Sequence, residues 1–357
     1  MMERVTQNKG LTRPEIAVIN AYGKNILKEQ LLETDLLEDP FVEFLLINYF
    51  PKPLQMQFEK AIKAHPLRRE IIATALSGII VNQLGPSVIY RTQEETGASI
   101  AAIVRAFMII RVIFNLAEFE RNFIEIETSV KQADQSEIAV SVMRFIRRTV
   151  RWFLKNQPSN LSMVEVVQLY QQNFDEINTA IPAILGAAAK VEFERNYQNY
   201  LATGVSPAFA NALTLKDYLF YGLDIICIAK KLHMNVVHVA EVYFMIDTFL
   251  DIAWIRNAIM VHAVENTWES LCRESLRDDL DLQMRQLTEG LVGLSNTNTN
   301  YQHVLETWAV EHDSLIGRWQ AIVHDLKTSL SLNYMMFFVA TRKLADLTQM
   351  TLKSLCT

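Results

Sequence analysis

His65-Pro66-Leu67-Arg68-Arg69-Glu70-Ile71-Ile72-Ala73-Thr74 reads as the start of a helix followed by its body. Proline loses nothing in a first helical turn, where its missing N–H had no partner anyway. Charged residues fill the opening turn and an apolar run follows. A helix is therefore expected from Pro66 to Leu84, closed by Gly85-Pro86. Glu70 suits the positive end of that helix, whereas Arg68 and Arg69 do not. Acidic partners for both arginines are expected elsewhere in the fold.

The same grammar repeats outward from this stretch. Upstream, Thr12-Arg13-Pro14-Glu15 has the form of a capping box and opens a helix expected to end near Glu33. Downstream, a helix over Ser87–Thr96 should stop at Gly97, and Ser99 should cap the apolar helix Ile100–Asn115, with Leu116–Thr128 continuing helical. Gln135–Asn156 is the clearest amphipathic wheel. Ile138, Val142, Phe145, Ile146, Thr149 and Phe153 fall on one side, and Arg144, Arg147, Arg148, Arg151 and Lys155 on the other. Farther on, helical spacing covers Leu215–Leu232, Val236–Val264 with a break expected near Arg256-Asn257, Trp268–Leu294, Tyr301–Leu330 and Leu332–Ser354. A polar loop is expected between Leu294 and Tyr301. No run alternates convincingly with the period of a strand. The expectation is an all-α, multi-helix bundle of about 14 helices with no Rossmann sheet. Asn156-Gln157-Pro158-Ser159-Asn160 is the best linker. It gives a polar lead-in at 1–10, an N-terminal helical part at 11–156 and a C-terminal helical part at 157–357, unless the helices form one continuous domain.

Composition agrees with that class. Half of the 357 residues are hydrophobic, and Gly (11) and Pro (9) are both scarce, which opposes a turn-rich sheet fold and disorder. A net charge of −6 makes the chain a poor general binder of nucleic acid or anionic membrane. Ile100–Ala117 and Val236–Val264 are long apolar stretches. The first carries Arg105 and Arg111, and the second Glu241, Asp247, Asp251 and Arg256. Each charge at mid-span costs about 2.5–3.5 kcal/mol, so neither is expected to insert in a membrane. Cys227, Cys272 and Cys356 are an odd number without metal or disulfide spacing, which fits a reducing, cytoplasmic setting.

Motifs that carry chemistry are missing. The sequence has no GxGxxG, no GxxxxGK[ST] and no GxSxG elbow. His262 and Glu265 share a helical face, but no second ligand follows one turn on. No catalytic, cofactor-binding or metal residue is assigned. What remains is a set of candidate contact residues: Arg68, Arg69 and Glu70; the stripe Arg144, Arg147, Arg148 and Arg151; and Asp278 and Asp279 in the acidic run Arg277-Asp278-Asp279-Leu280-Asp281. Met335-Met336-Phe337-Phe338 is either core or the lining of a peptide groove.

Taken in order, Leu11–Glu15, Tyr49-Phe50-Pro51, His65–Thr74, Asn82, Gly85-Pro86, Arg91 and Glu94–Ala98 resemble one family, the large bacterial NAD-specific glutamate dehydrogenases, at the start of their C-terminal helical region. Ser275–Leu280 with Gln286-Leu287-Thr288 resembles a late motif of that region, and Trp308, Leu315, Arg318-Trp319 and Leu344–Leu347 resemble its closing helical pair. The family is an oxidoreductase of amino-acid catabolism. It converts L-glutamate, NAD and water to 2-oxoglutarate, ammonia and NADH. The resemblance implies that this reaction and the NAD site belong to a preceding catalytic domain, none of whose residues maps here. It further implies a structural or regulatory partner of that domain, in cis or in trans, able to join an oligomer through it. An isolated fragment and a split or truncated reading frame fit equally. The alternatives are a free-standing helical interaction module or a remnant of a split gene.

Overall fold

Thr12 caps the first helix in the computed structural model of the chain. Its hydroxyl accepts from the Glu15 amide at 3.5 Å, and the Glu15 carboxylate accepts from the Thr12 amide at 2.7 Å. The structure describes residues 10–157, 161–293 and 300–354. The lead-in at 1–9, positions 158–160 of the expected linker, positions 294–299 at the polar loop and Cys356 lie outside the described residues.

Among the described residues there are seventeen α-helices, two short 3₁₀ turns (Asp35–Glu38 and Pro40–Val42) and no strand. The helices are α1 (Arg13–Leu32), α2 (Glu43–Tyr49), α3 (Lys52–Lys63), α4 (Arg68–Leu84), α5 (Val88–Thr96), α6 (Ile100–Ile113), α7 (Leu116–Ile126), α8 (Gln132–Asn156), α9 (Met163–Ile184), α10 (Ala187–Ala202), α11 (Pro207–Leu232), α12 (Val236–Phe249), α13 (Ile252–Val261), α14 (Thr267–Gly293), α15 (Tyr301–Glu311), α16 (Asp313–Thr328) and α17 (Tyr334–Ser354).

The count exceeds fourteen because several expected helices break. Asn115 (φ 47°) and Asp251 (φ 56°) adopt the left-handed conformation between α6 and α7 and between α12 and α13. Asparagine and aspartate tolerate that conformation better than other side chains, and a periodicity reading does not detect it. The second break therefore falls at Leu250-Asp251, not at Arg256-Asn257. His312 similarly divides the expected Tyr301–Leu330 helix into α15 and α16. At the decisive stretch, Pro66 and Leu67 form a turn and α4 begins at Arg68. His65 explains the delay, since its Nδ1 accepts from the Leu67 amide at 3.1 Å and holds the turn. Gly85 (φ 86°) and Gly97 (φ 70°) end α4 and α5 as their positions suggest.

The chain divides into two compact units, residues 1–169 and 170–357. In the first, α4 lies between α1, α2 and α8, and α6 packs on α5, α7 and α8. Leu31, Ile72, Leu76, Ile80, Val104, Met108 and Ile110 of its core are fully covered, and Phe107, Phe145, Trp152 and Phe153 are buried with them. In the second unit α14 is the axis, packed by α11, α12, α13, α15 and α17. Its largest buried side chains are Trp308, Trp319, Tyr170, Tyr243, Phe209 and Phe337. Both tryptophan N–H groups find acceptors, Trp308 Nε1 on Thr351 Oγ1 at 2.9 Å and Trp319 Nε1 on the Leu250 carbonyl at 2.8 Å. No single described helix is long and apolar enough to cross a membrane; α4 with α5 and α6 with α7 reach that length only as pairs bent by 82° and 72°.

Candidate functional site

Arg256 is a buried charge of the second unit with partners on several helices. It sits on α13 at 5 % exposure, inside the apolar run Ile252–Val261. A buried guanidinium must be compensated, and every partner comes from another helix. Its Nη1 donates to Asp247 Oδ1 of α12 at 2.5 Å, and its Nη2 donates to the Tyr243 hydroxyl of the same helix at 2.9 Å. Its Nε lies 3.3 Å from Asp281 Oδ1 of α14. The guanidinium carbon stands 4.3 Å from the Tyr221 ring centroid on α11. One side chain thus ties four helices together.

A second buried pair extends the cluster. Asp224 of α11 is fully buried and lies 2.5 Å from an Arg285 guanidinium nitrogen of α14. One turn along α11, Cys227 Sγ contacts the Tyr170 hydroxyl of α9 at 3.2 Å.

Burial and charge set the proton affinities here. Burial foremost raises the Asp247 carboxyl above its ordinary value, and the Arg256 charge only partly offsets this. Burial alone would lower the Arg256 guanidinium, but the surrounding phenols and carboxylates (Tyr221, Tyr243, Asp247 and Asp281) outweigh it and hold the group firmly charged. Burial also pushes the Tyr243 and Tyr170 phenols well up and raises the Cys227 thiol, so the thiol is not primed as a nucleophile. The arrangement locks helices; it does not present a reactive group. A cavity of about 10 Å³ in this unit is lined by Val242, Met245, Ile246, Leu291, Tyr301, Val304 and Leu305. It has water-sized room and almost no polar lining, so it does not form a substrate site.

The residues singled out by sequence fall in three places. Arg68 and Arg69 both reach Glu38, at 3.1 and 2.7 Å, and Arg69 also donates to the carbonyls of Leu32 and Thr34. Glu38 is thus a single acidic partner shared by the two arginines; Glu70 stays exposed. The arginine stripe of α8 is not uniformly solvated. Arg151 is 8 % exposed and binds Glu95 of α5 at 3.1 Å, Arg147 approaches the same carboxylate at 3.6 Å, and Arg91 lies 2.8 Å from it. Arg144 is exposed and Arg148 half-buried. In α14, Asp279 is exposed and Asp278 half-buried, while Asp281 of the same acidic run turns inward to Arg256. Of the apolar quartet on α17, Phe337 is core and Met335 and Phe338 are exposed. His262 stacks its ring edge on Tyr334 at 4.9 Å. No three His, Cys, Asp or Glu side chains gather as metal ligands among the described residues.

The Arg256 cluster was missed by sequence reasoning, although one signal was available. Asp247 and Arg256 are charges inside a nearly continuous apolar run, and such charges must pair when the run is buried.

Comparisons with known proteins point in one direction. The family described as "Glutamate dehydrogenase, C-terminal" matches residues 8–346. The NAD-specific glutamate dehydrogenase of Pseudomonas aeruginosa is 30 % identical over 356 residues, covering 100 % of this chain and 22 % of its own length. The enzyme of the same name from Halomonas elongata is 26 % identical over 98 % of this chain and 22 % of its own. That of Mycobacterium tuberculosis is 25 % identical over 95 % and 21 %. The chain thus spans about a fifth of the length of these curated relatives.

Proposed function

We propose that this chain, which belongs to the glutamate dehydrogenase C-terminal family, serves as the helical C-terminal region of an NAD-specific glutamate dehydrogenase and acts on the catalytic part of that enzyme. The observation that carries this reading is the match of the whole chain to about one fifth of dehydrogenases that are far longer. The geometry agrees with a supporting role. The charged groups buried in each unit, Glu95 with its arginines and Arg256 with its carboxylates, are directed to partners inside that unit.

Oxidation of L-glutamate with NAD, giving 2-oxoglutarate, ammonia and NADH, is assigned to the other part of the polypeptide. Hydride transfer needs a cleft that closes and excludes water. Helices cross-linked by buried ion pairs form a stiff body, and such a body shifts a cleft's open and closed populations by as much as it contacts one state better than the other. The partnership works in cis or in trans, and oligomer contacts can pass through it. The odd number and the spacing of Cys227, Cys272 and Cys356 support a reducing, cytoplasmic site of action.

The test is a glutamate-dependent NAD reduction assay. The purified chain alone should give no NADH. Added to a dehydrogenase polypeptide lacking its matching fifth, it should raise activity or melting temperature. A truncated dehydrogenase that is fully active, fully stable and indifferent to the added chain would overturn the reading.

A further inference from the structure

We propose that the exposed, uncharged face of α1 is the surface on which the catalytic polypeptide of the dehydrogenase docks; this rests on the role proposed above. The run Ile16-Ala17-Val18-Ile19-Asn20-Ala21-Tyr22-Gly23 carries no charge between Glu15 and Lys24. Ile16, Ala17, Val18, Ala21 and Tyr22 of this run stay exposed, and Ile19 is half-buried. Leu27 and Leu31 at the far end of α1 are buried, and Gly23 lies so close to Pro86 that an added Cβ would stand 2.7 Å from the proline Cβ. These contacts fix the helix. Toward its N-terminus, none of residues 13–26 is buried. Val18, Tyr22 and Ile26 follow one another at successive turns and form a single stripe, while Ile16 projects from nearly the opposite side of the helix. Tyr22 is 68 % exposed, and Ile16, Val18 and Ile26 are each more than 40 % exposed. Single exposed apolar residues need no explanation, but a stripe along several turns of one helix marks a contact surface.

The occupant follows from the relatives. About four fifths of each lies outside the match, and the matching family is defined as the C-terminal part, so that polypeptide enters from the side of residue 1. The match begins at residue 8 and α1 at Arg13, so α1 is the first described helix on that side of the match. Closing a contact over so few residues costs little chain entropy and gives a high effective concentration. An apolar stripe with a protruding phenol ring calls for an apolar groove that takes an aromatic anchor, with the tyrosine hydroxyl at its wet rim. A second exposed apolar area, Trp268 of α14 and Met335 and Phe338 of α17, has no such link and serves as the control.

The test places a photoreactive phenylalanine at Tyr22 or at Trp268 in the whole chain, crosslinked in the cells that encode it, with the joined peptides read by mass spectrometry. Peptides from the catalytic part of a glutamate dehydrogenase at position 22 support the proposal. Crosslinks to that part from position 268 alone overturn the surface but leave the proposed role standing. Dehydrogenase crosslinks from neither position overturn both. A second copy of this chain as the position-22 partner overturns the surface. As an orthogonal check, with this chain and the catalytic polypeptide expressed as two separate proteins, the double variant Val18→Glu, Tyr22→Glu should melt like the parent and co-purify with the dehydrogenase at least tenfold less. A folded double variant that co-purifies undiminished would refute the proposal.

Discussion

Replacing Arg256 by methionine keeps much of the side-chain volume and removes the charge that holds Asp247 and Asp281. Both carboxylates are nearly enclosed, at 14 % and 8 % side-chain exposure. The variant removes the guanidinium that faces both buried anions, and the loss is about 3–5 kcal/mol at neutral pH. For a unit of this size that corresponds to roughly 10 °C in melting temperature. The pH dependence carries a definite sign. Burial already raises the Asp247 carboxyl, and the guanidinium is what opposes that rise. Without Arg256 the carboxyl rises further above its unfolded value. A raised carboxyl contributes stability that is complete below the unfolded pKa and is lost as pH climbs through the folded one. The gap between parent and variant should thus be widest near neutrality and narrow as pH falls toward the ordinary carboxylate range. Four of the five tryptophans, Trp254, Trp268, Trp308 and Trp319, belong to the second unit, so urea unfolding followed by tryptophan fluorescence reports mainly on it. A loss below about 1 kcal/mol, or one that does not change with pH, would show that Arg256 is not the compensating charge.

In the first unit, Glu95→Gln leaves the buried Arg151 without its carboxylate and should cost on the order of 3 kcal/mol in urea unfolding, whereas Arg91→Gln, at the partly exposed partner, should cost well under about 1 kcal/mol. Gly222→Ala improves intrinsic helix propensity by about 1 kcal/mol, yet its Cβ would lie 2.7 Å from Phe174 Cε1; overpacking should win and the melting temperature should fall. Thr351→Val removes the acceptor of the buried Trp308 N–H and should destabilise by about 1–3 kcal/mol, with a changed tryptophan emission spectrum as the second readout.

Local signals were legible in the sequence because they act within a few residues. Thr12 with Glu15, Gly85 and Gly97 each did what their positions require. Breaks at Asn115 and Asp251 were not legible, because many asparagines and aspartates sit inside helices and only tertiary context selects the left-handed conformer. The α8 wheel sorted its apolar face correctly, but Arg151 looked like a solvent residue because its partner Glu95 lies 56 residues away. Likewise the acidic run of α14 displays Asp279 at the surface and sends Asp281 inward, a difference set by which turn faces Arg256. Charge partners distant in sequence are the information a single-chain pattern lacks.

The most direct measurement concerns the relation to the dehydrogenase itself. In the Pseudomonas aeruginosa relative, the matching fifth would be deleted in one protein and replaced by this chain in another, and glutamate-dependent NADH formation and melting temperature compared with the parent. The account predicts loss of activity or stability on deletion and substantial recovery in the replacement. A deletion protein equal to the parent in both respects would contradict it.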